Sequence, residues 1–267
     1  MKYIHAFASA IICATLLNFA ASASAQTTKA GYATIVRIQG EARYSSDGKN
    51  WQPLVAGKVL GSGDVVQSGI DSTVDIVLND REGQVSIQPT VKMLPDANVR
   101  GLASSRSMTE QNVIRLQSDT VLAIDKLTVS DTGVDTVTDT ELDLRQGKIF
   151  GNVKKLSAAS QYLVKMPDGV AGVRGTTFVL GADGDITVIA GSVVMSHVGP
   201  NGQVTTQVLG PGDEFNPRTG QVNHLTPAEL RRELRDAIAI ITVIRGTIWF
   251  PNDHTIIYIS PTTGGRR

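Results

Sequence analysis

One arginine lies among glycines in the middle of the chain, where Gly172-Val173-Arg174-Gly175-Thr176 leads into Phe178-Val179-Leu180. Glycine permits left-handed or crowded backbone that other residues resist, so the segment predicts a bend followed by a strand. A guanidinium carries five donors and no acceptor. Arg174 could therefore bind an anionic ligand, lie in an interface, or link loops by donating to their carbonyls and carboxylates. We expect the linking role, in which case Arg174→Lys lowers stability.

Two aspartates could form a carboxylate pair. Asp64 ends Leu60-Gly61-Ser62-Gly63-Asp64 and Asp213 ends Leu209-Gly210-Pro211-Gly212-Asp213, each about twenty residues after a similar strand. The similarity between the two segments indicates two similar β units, unless it arises by chance. Carboxylates that face a cleft could hydrolyse a sugar, but Gly-Asp is common in turns and aromatic residues make up only 5% of the chain. We expect Gly63 and Asp64 to form a turn.

Other residues that could ligate a metal are poorly spaced for it. His197, His224 and His254 show no paired metal spacing. Three aspartates lie four residues apart, which misses the alternate-residue spacing of a calcium loop and favours a solvated linker. They are Asp131, Asp135 and Asp139. No phosphate loop, dinucleotide fingerprint or nucleophile elbow occurs. The sequence therefore predicts no enzyme, no metal and no cofactor.

The N-terminal residues have the pattern of a secretory signal peptide. Met1-Lys2 precedes an uncharged apolar run from Ala6 to Ala20, and Ala23-Ser24-Ala25 fits the small-x-small pattern of signal peptidase. The run of about fifteen residues is shorter than the ~20 that a membrane-spanning helix needs. We expect cleavage between Ala25 and Gln26, which removes 1–25 and leaves a periplasmic or secreted protein.

Composition limits the partners and the means of stabilisation. The 267 residues contain 25 basic and 25 acidic side chains, a net charge of +0 that gives no footprint for nucleic acid. No later apolar run reaches spanning length, so we expect no retained membrane span. The only cysteine, Cys13, lies in the expected signal peptide. The mature fold must therefore depend on an apolar core rather than on disulfides.

Short apolar runs between glycine-centred turns predict an all-β protein, either a compact β-sandwich or a β-helix-like stack of short strands. Asp183-Gly184 and Asn201-Gly202 are hairpin signals. The polar stretches 95–112 and 130–140 indicate loops. A capping box at Thr226–Glu229 predicts one amphipathic helix over about 227–244, followed by short strands to about 260. Its apolar positions are Leu230, Leu234, Ile238 and Ile241.

Three groups of residues together resemble the FecR domain family, named for a ferric citrate uptake regulator. The resemblance spans about 31–216, contains a loop-rich insertion at about 95–140, and excludes the C-terminal part at 226–260. The groups are Trp51–Leu54 with Gly57, Leu60, Gly63, Asp64, Val66, Gly69 and Ser72–Val74; Leu144 with Gly147, Ile149 and Val153; and Gly172, Val173, Arg174, Gly175 and Thr176 with Phe178 and Gly191–Val193.

The resemblance implies a mainly β domain on the periplasmic side of the cell envelope. Well-known members relay a signal from a TonB-dependent outer-membrane transporter to a cytoplasmic sigma factor. The expected signal peptide, and the lack of an N-terminal cytoplasmic region and of a retained span, depart from that plan, so the sigma-factor role is not carried over.

Two functions remain open. The first is a non-enzymatic envelope module for protein binding or signal reception, with an unknown envelope protein, such as a transporter or signalling component, as partner. The alternative is a structural protein associated with cell wall or polysaccharide. That alternative needs an exposed aromatic platform, and we expect Trp51 to lie in the core.

Overall fold

The computed structural model describes residues 27–79, 86–87, 111–133, 135–199 and 201–249. The expected signal peptide with Ala25 and Gln26, the loop at 95–110 and the last of the short strands expected up to about residue 260 lie outside these residues. Within them, the all-β fold with one C-terminal helix is confirmed.

The longest strands, of 11 to 13 residues, lie between residues 121 and 198. The strands are β1 (Thr28–Ala30), β2 (Tyr32–Gln39), β3 (Ala42–Ser45), β4 (Gln52–Pro53), β5 (Val59–Leu60), β6 (Val65–Ser68), β7 (Thr73–Asn79), β8 (Ser86–Ile87), β9 (Asn112–Leu116), β10 (Val121–Asp131), β11 (Thr136–Gln146), β12 (Lys148–Asn152), β13 (Gln161–Met166), β14 (Gly169–Gly181), β15 (Ile186–Val198), β16 (Val204–Leu209), β17 (Asp213–Asn216), β18 (Gln221–His224) and β19 (Ile248–Trp249). The helix α1 spans Pro227–Thr247. The stretch 130–140, expected as a loop, instead lies mostly in the arms of the β10–β11 hairpin.

Seventeen of these strands form one continuous sheet that folds into two layers. The first layer runs β5-β2-β7-β9-β12-β14-β15-β17-β18. The second runs β4-β3-β6-β10-β11-β13-β14-β15-β16, with β1 on the far end of β10. The strands β14 and β15, thirteen residues each, pass from one layer to the other. The strands β8 and β19 pair separately.

The inward faces of both layers share one apolar core. Ile76 and Leu180 of the first layer belong to the same buried cluster as Leu142 and Val164 of the second. Strand alternation explains the pattern, because every second side chain along these strands points to this core. The burial of one face of each layer leaves two outer faces, one on each layer.

The helix α1 covers the outer face of the first layer. Its capping box is formed, since Thr226 N donates to Glu229 Oε2 at 2.8 Å and Glu229 N donates to Thr226 Oγ1 at 3.4 Å. The side chains that pack between helix and sheet are Val36, Val77, Val113, Phe150 and Ile189 from the strands, with Leu230, Leu234, Ala237, Ile240, Ile241 and Ile244 from the helix.

The expected position of Ile238 on the packed face of α1 is wrong. Its side chain is 61% exposed, whereas Ala237 and Ile244 are buried. A helix with 3.6 residues per turn rotates its contact stripe, and the stripe passes through 237, 241 and 244. In the part of the chain that the structure describes, no helix has the length and apolarity to cross a membrane.

Candidate functional site

The arginine–glycine segment lies where β14 and β15 pass between the layers. Gly191 has a φ of 86°, and a Cβ there would lie 2.2 Å from the carbonyl oxygen of Gly175. Next to this bend, Thr176 Oγ1 donates to Ser192 O at 2.6 Å and accepts from Ser192 N at 3.2 Å. Thr176 is only 1% exposed. A buried hydroxyl thus satisfies the backbone that the bend takes out of regular pairing.

The same unit, here called a glycine–hydroxyl bend, occurs at two other crossings. Between β11 and β12, Gly147 has a φ of 79° and Lys148 N donates to Thr120 Oγ1 at 3.0 Å. Between β2 and β3, Gly40 has a φ of 79°, and the next N–H, that of Glu41, donates to Ser72 Oγ at 2.9 Å. A Cβ on either glycine would lie 2.3–2.4 Å from the hydroxyl oxygen, so the hydroxyl fills the space that the missing side chain leaves.

Arg174 does not have the linking role expected from the sequence. Its side chain is exposed, and it forms no hydrogen bond or ion pair with any residue of the described ranges. The reason is a break in register between Arg174 and Thr177, where Gly175 takes a φ of 66° and the strand bulges. Thr176 provides the link instead. The loss of stability expected for Arg174→Lys therefore has no basis in the structure.

Gly172 is not a bend residue. A Cβ at this position would meet its nearest neighbours, Leu163 Cδ2 and Val194 O, at 3.7 Å, which is ordinary contact. Its backbone pairs with Leu163 on one side and Val194 on the other. The absence of a side chain therefore leaves a shallow gap on the outer face of the second layer.

The similar sequences around Asp64 and Asp213 form the same type of turn. In each turn the aspartate carboxylate accepts from the N–H of the glycine three residues earlier at 2.8 Å. The glycines before the aspartates, Gly63 and Gly212, have φ values of 98° and 85°, and each donates to a neighbouring strand at 2.7 Å. Each carboxylate therefore stabilises its own turn. The Asp64 turn bonds to β10, and the Asp213 turn bonds to β15. The structure does not bring them together as a catalytic pair.

Asp213 also joins its turn to β18. His224 Nδ1 lies 2.9 Å from Asp213 Oδ1. Partial burial raises the pKa of Asp213, but the hydrogen bonds from His224 and Gly210 outweigh it and hold the pKa below its usual value. The arrangement is a structural contact between β17 and β18, because the two residues are direct partners in that hairpin.

The remaining candidate ligands do not converge. Asp131 Oδ1 accepts from Gly133 N at 2.8 Å in the hairpin turn, while Asp139 pairs with Lys126 on the opposite arm. His197 is buried and packs edge-on against Phe215, with the ring centroids 5.8 Å apart. Among the described residues, no group of three histidine, cysteine or acidic side chains is placed to hold a metal ion.

The outer face of the second layer carries charge on one side. Lys165 Nζ lies 2.7 Å from Glu141 Oε2 and 3.2 Å from Asp125 Oδ2, which joins β13 to β11 and β10. The hydrogen bond with Glu141 raises the pKa of Lys165, and the bond from Lys165 lowers the pKa of Glu141. These side chains are solvent-exposed in part, so they keep this part of the face polar.

Beside the charged side chains lies an apolar surface. The register aligns Val194 with Val208, and Val198 with Val204, across β15 and β16. Their exposed fractions are 48%, 72%, 43% and 69% in that order. We call these four residues the valine face. β-branched side chains favour strands, but four exposed on adjacent strands form a patch of the kind that mediates binding.

A second surface cluster surrounds Trp51, which sequence analysis placed in the core. Trp51 is only half-buried and lies outside the core clusters. The Arg43 guanidinium stacks on its ring at 4.7 Å from the centroid. Lys58 lies over the ring of Tyr44 at 4.5 Å, and Tyr44 donates its hydroxyl to Gln52 at 2.8 Å. Two aromatic rings with polar neighbours therefore reach the surface at the β3–β4 end of the second layer.

Residues 102–194 match the family model described as FecR protein, a segment shorter than half of the chain. The FecR resemblance is confirmed for this segment, which extends from before β9 into β15 and includes the Gly191 bend. It also covers most of the stretch at 95–140 that was expected to be an insertion.

Other comparisons are less informative. No curated protein matches the chain. A crystal structure of a "putative anti-sigma factor" from Parabacteroides distasonis ATCC 8503 at 2.50 Å resolution is similar, with 15% identity over 57% of this chain and 60% of that one and a TM-score of 0.32. A second, at 1.65 Å and with the same description, has 17% identity over 48% and 58% and a TM-score of 0.33. The chain thus covers less than two thirds of either protein.

Proposed function

We propose that this chain, which carries a FecR domain, is a non-enzymatic module of the cell envelope that binds another protein and takes part in signal reception. The family match supports the class of function. The observation that supports a binding role is the valine face, because it remains exposed although the opposite outer face is covered by α1. Exposed apolar patches next to charged side chains are typical of protein-binding surfaces.

The proposed partner is an envelope protein, such as a transporter or a signalling component. An interface of moderate size needs an apolar centre and a polar rim. Val194 supplies the centre. Lys165, two strands away, and its partner Glu141, three strands away, form part of the rim. The near-zero net charge fits recognition by local contacts rather than by long-range steering.

Site-specific photocrosslinking in living cells tests this role. A photoreactive residue at Val194 should give a discrete adduct with one envelope protein, whereas the same residue at Ile238, exposed on the other side of the molecule, should give none. An absence of adducts at Val194, or the same adducts at both positions, contradicts the proposal.

The proposed location is the periplasm or the medium. It is supported by the apolar run and the Ala23-Ser24-Ala25 pattern in the sequence. Fractionation with N-terminal sequencing should find a protein that begins at Gln26 outside the cytoplasm. A chain recovered in the cytoplasm with Met1 intact would overturn this location.

Binding to polysaccharide is the second candidate, and the half-buried Trp51 and Tyr44 rings at the surface favour it. Aromatic rings with adjacent amide and hydroxyl groups suit the apolar faces and hydroxyls of sugars. Insoluble cell wall should then sediment the protein, and Trp51→Ala should release it while Val194→Lys does not. Equal sedimentation of both variants contradicts the sugar-binding role of this cluster.

A further inference from the structure

We infer that β16 pairs with β16 of a second copy of this chain, so that two molecules join their second layers into one sheet around a two-fold axis at Thr206. This inference concerns the edge of the sheet and does not rest on the envelope partner proposed above. Within the described ranges, β16 pairs with β15 and with no other strand. Its outer side is therefore a free edge.

Hydrogen-bond alternation shows which backbone groups this edge offers. In an antiparallel ladder, pairs that exchange hydrogen bonds alternate with pairs that do not. Gly199 N donates to Gln203 O at 2.9 Å, and the register of β15 with β16 runs on from there without a shift. The hydrogen-bonded positions recur at every second residue, and the residues between them direct their N–H and C=O groups away from β15. These residues are Val204, Thr206 and Val208.

The three free positions match one another under a two-fold rotation. With the axis at Thr206, Thr206 lies opposite its own copy, and Val204 lies opposite Val208 in both directions. All three positions then form hydrogen-bonded pairs, with about six backbone hydrogen bonds between the copies. A shift of the axis by one residue would pair Val208 with Gly202, outside the strand. Among these registers, only the one with its axis at Thr206 pairs all three free positions with one another.

Side chains favour the same pairing. Val204, Thr206 and Val208 point to one face of β16, so the rotation places each valine beside a valine and extends the valine face across both copies. The strand, with the sequence VTTQVL, carries no charge. Two identical charged edges would place like charges opposite each other, which is destabilising in a sheet. The absence of charge removes this obstacle to association of two copies.

The other sheet edges carry residues that discourage pairing. Natural edges are protected by proline, by lysine, by bulges or by short length. β1 contains Lys29, β4 contains Pro53, and the two-residue β5 follows Lys58 directly. In the four-residue β18, His224 is engaged with Asp213. β16 has six residues, no proline, no charge and no bulge. Because β16 is an unprotected edge among protected ones, we infer that it pairs with another strand.

Sedimentation of the full chain, purified after export, tests the inference. The wild type should shift from monomer to dimer as its concentration rises, a two-fold increase in mass. Thr206→Lys places two ammonium groups at the axis and should leave only monomer. Thr205→Lys is the matched control, because the Thr205 side chain is exposed on the opposite face of the sheet and lies opposite Gln207 of the second copy rather than opposite itself, and this variant should still dimerise.

Two further variants separate loss of pairing from loss of folding. Thr206→Pro removes an N–H that points away from β15, so the monomer should keep its melting temperature while the dimer is lost. With Cys13→Ser as background, Thr206→Cys should be joined to a second copy by a short thiol crosslinker and Val222→Cys, on the β18 edge, should not. A wild type that stays monomeric, or a dimer that survives both Thr206→Lys and Thr206→Pro, overturns the inference. Crosslinking at Val194 to an envelope protein tests the partner separately.

Discussion

The two outer faces of this folded sheet differ in whether another element covers them. The first layer presents Val36, Val77 and Val113 outward, and α1 covers them. The second layer presents salt bridges and the valine face, and the described residues place nothing over them. Inward packing is shared by both layers, so the contrast concerns only their outer surfaces. A covered face stabilises the fold, whereas an uncovered apolar face is available for binding.

The largest difference in the free energy of unfolding should be found when two ion pairs, one on each layer, are broken in turn. Asp75 on the outer face of the first layer accepts from Arg115 Nε and Nη2 at 2.6 and 2.8 Å, and its side chain is 1% exposed. Asp75→Ala leaves the Arg115 charge without its partner and should lower the free energy of unfolding by about 3–5 kcal/mol. Urea denaturation followed by circular dichroism measures this loss.

The matched pair on the second layer is Asp143 with Arg145. Their atoms are 2.7 Å apart, but Arg145 is 51% exposed and Asp143 is 25% exposed. Solvent screens such a pair, so Asp143→Ala should cost about 0–1 kcal/mol. Equal losses for Asp75→Ala and Asp143→Ala would mean that the outer faces do not differ as described.

The helix contact should give the next largest effect. Ile244 is 0% exposed between α1 and the first layer. Ile244→Ala should lower the free energy of unfolding by about 2–5 kcal/mol, because it leaves a cavity against Val77 and Val113. Ile238→Ala on the exposed side of the same helix should stay within about 0.5 kcal/mol of wild type. A similar loss in both variants would contradict the role of the helix–sheet contact, because alanine favours a helix more than isoleucine does and propensity alone would lower stability at neither position.

Removal of one bend hydroxyl should cost less but affect both layers. Thr176→Val keeps the shape of the side chain and leaves Ser192 N and O without their partner, at a cost of about 1–3 kcal/mol. Hydrogen exchange should quicken on both sides of the bend, since β14 and β15 belong to both layers. Thr187→Val on β15 is the control, because no hydrogen bond of its hydroxyl is found in the described structure. Exchange that quickens in one layer only would contradict a joint role.

Sequence patterns predicted the local elements better than the contacts between them. The capping box predicted α1, and the Asp-Gly signal at 183–184 predicted the β14–β15 hairpin, because both signals are local. The role of Thr176 could not be foreseen, since it depends on Gly191 and Ser192 across the register of two strands. The linking role expected of Arg174 fails because the bulge at Gly175 turns its side chain to solvent, and that bulge leaves no distinct signal in one sequence.

The smallest effect should come from the salt bridge between Glu141 and Lys165 on the uncovered face. The hydrogen bond from Lys165 lowers the pKa of Glu141. The ionised Glu141 therefore stabilises the fold at a pH above its ordinary pKa, and this stabilisation is lost as the pH falls through the lowered pKa. The melting temperature of Glu141→Gln should therefore lie slightly below that of wild type at pH 7. The difference should shrink as the pH falls below about 4.3, the ordinary pKa of glutamate, and vanish once the pH is below the lowered pKa of Glu141. High salt should also reduce this difference in melting temperature, because solvent reaches both side chains. A difference that resists acid and salt would mean that these charges are shielded from solvent, and the second layer would then be covered as the first one is.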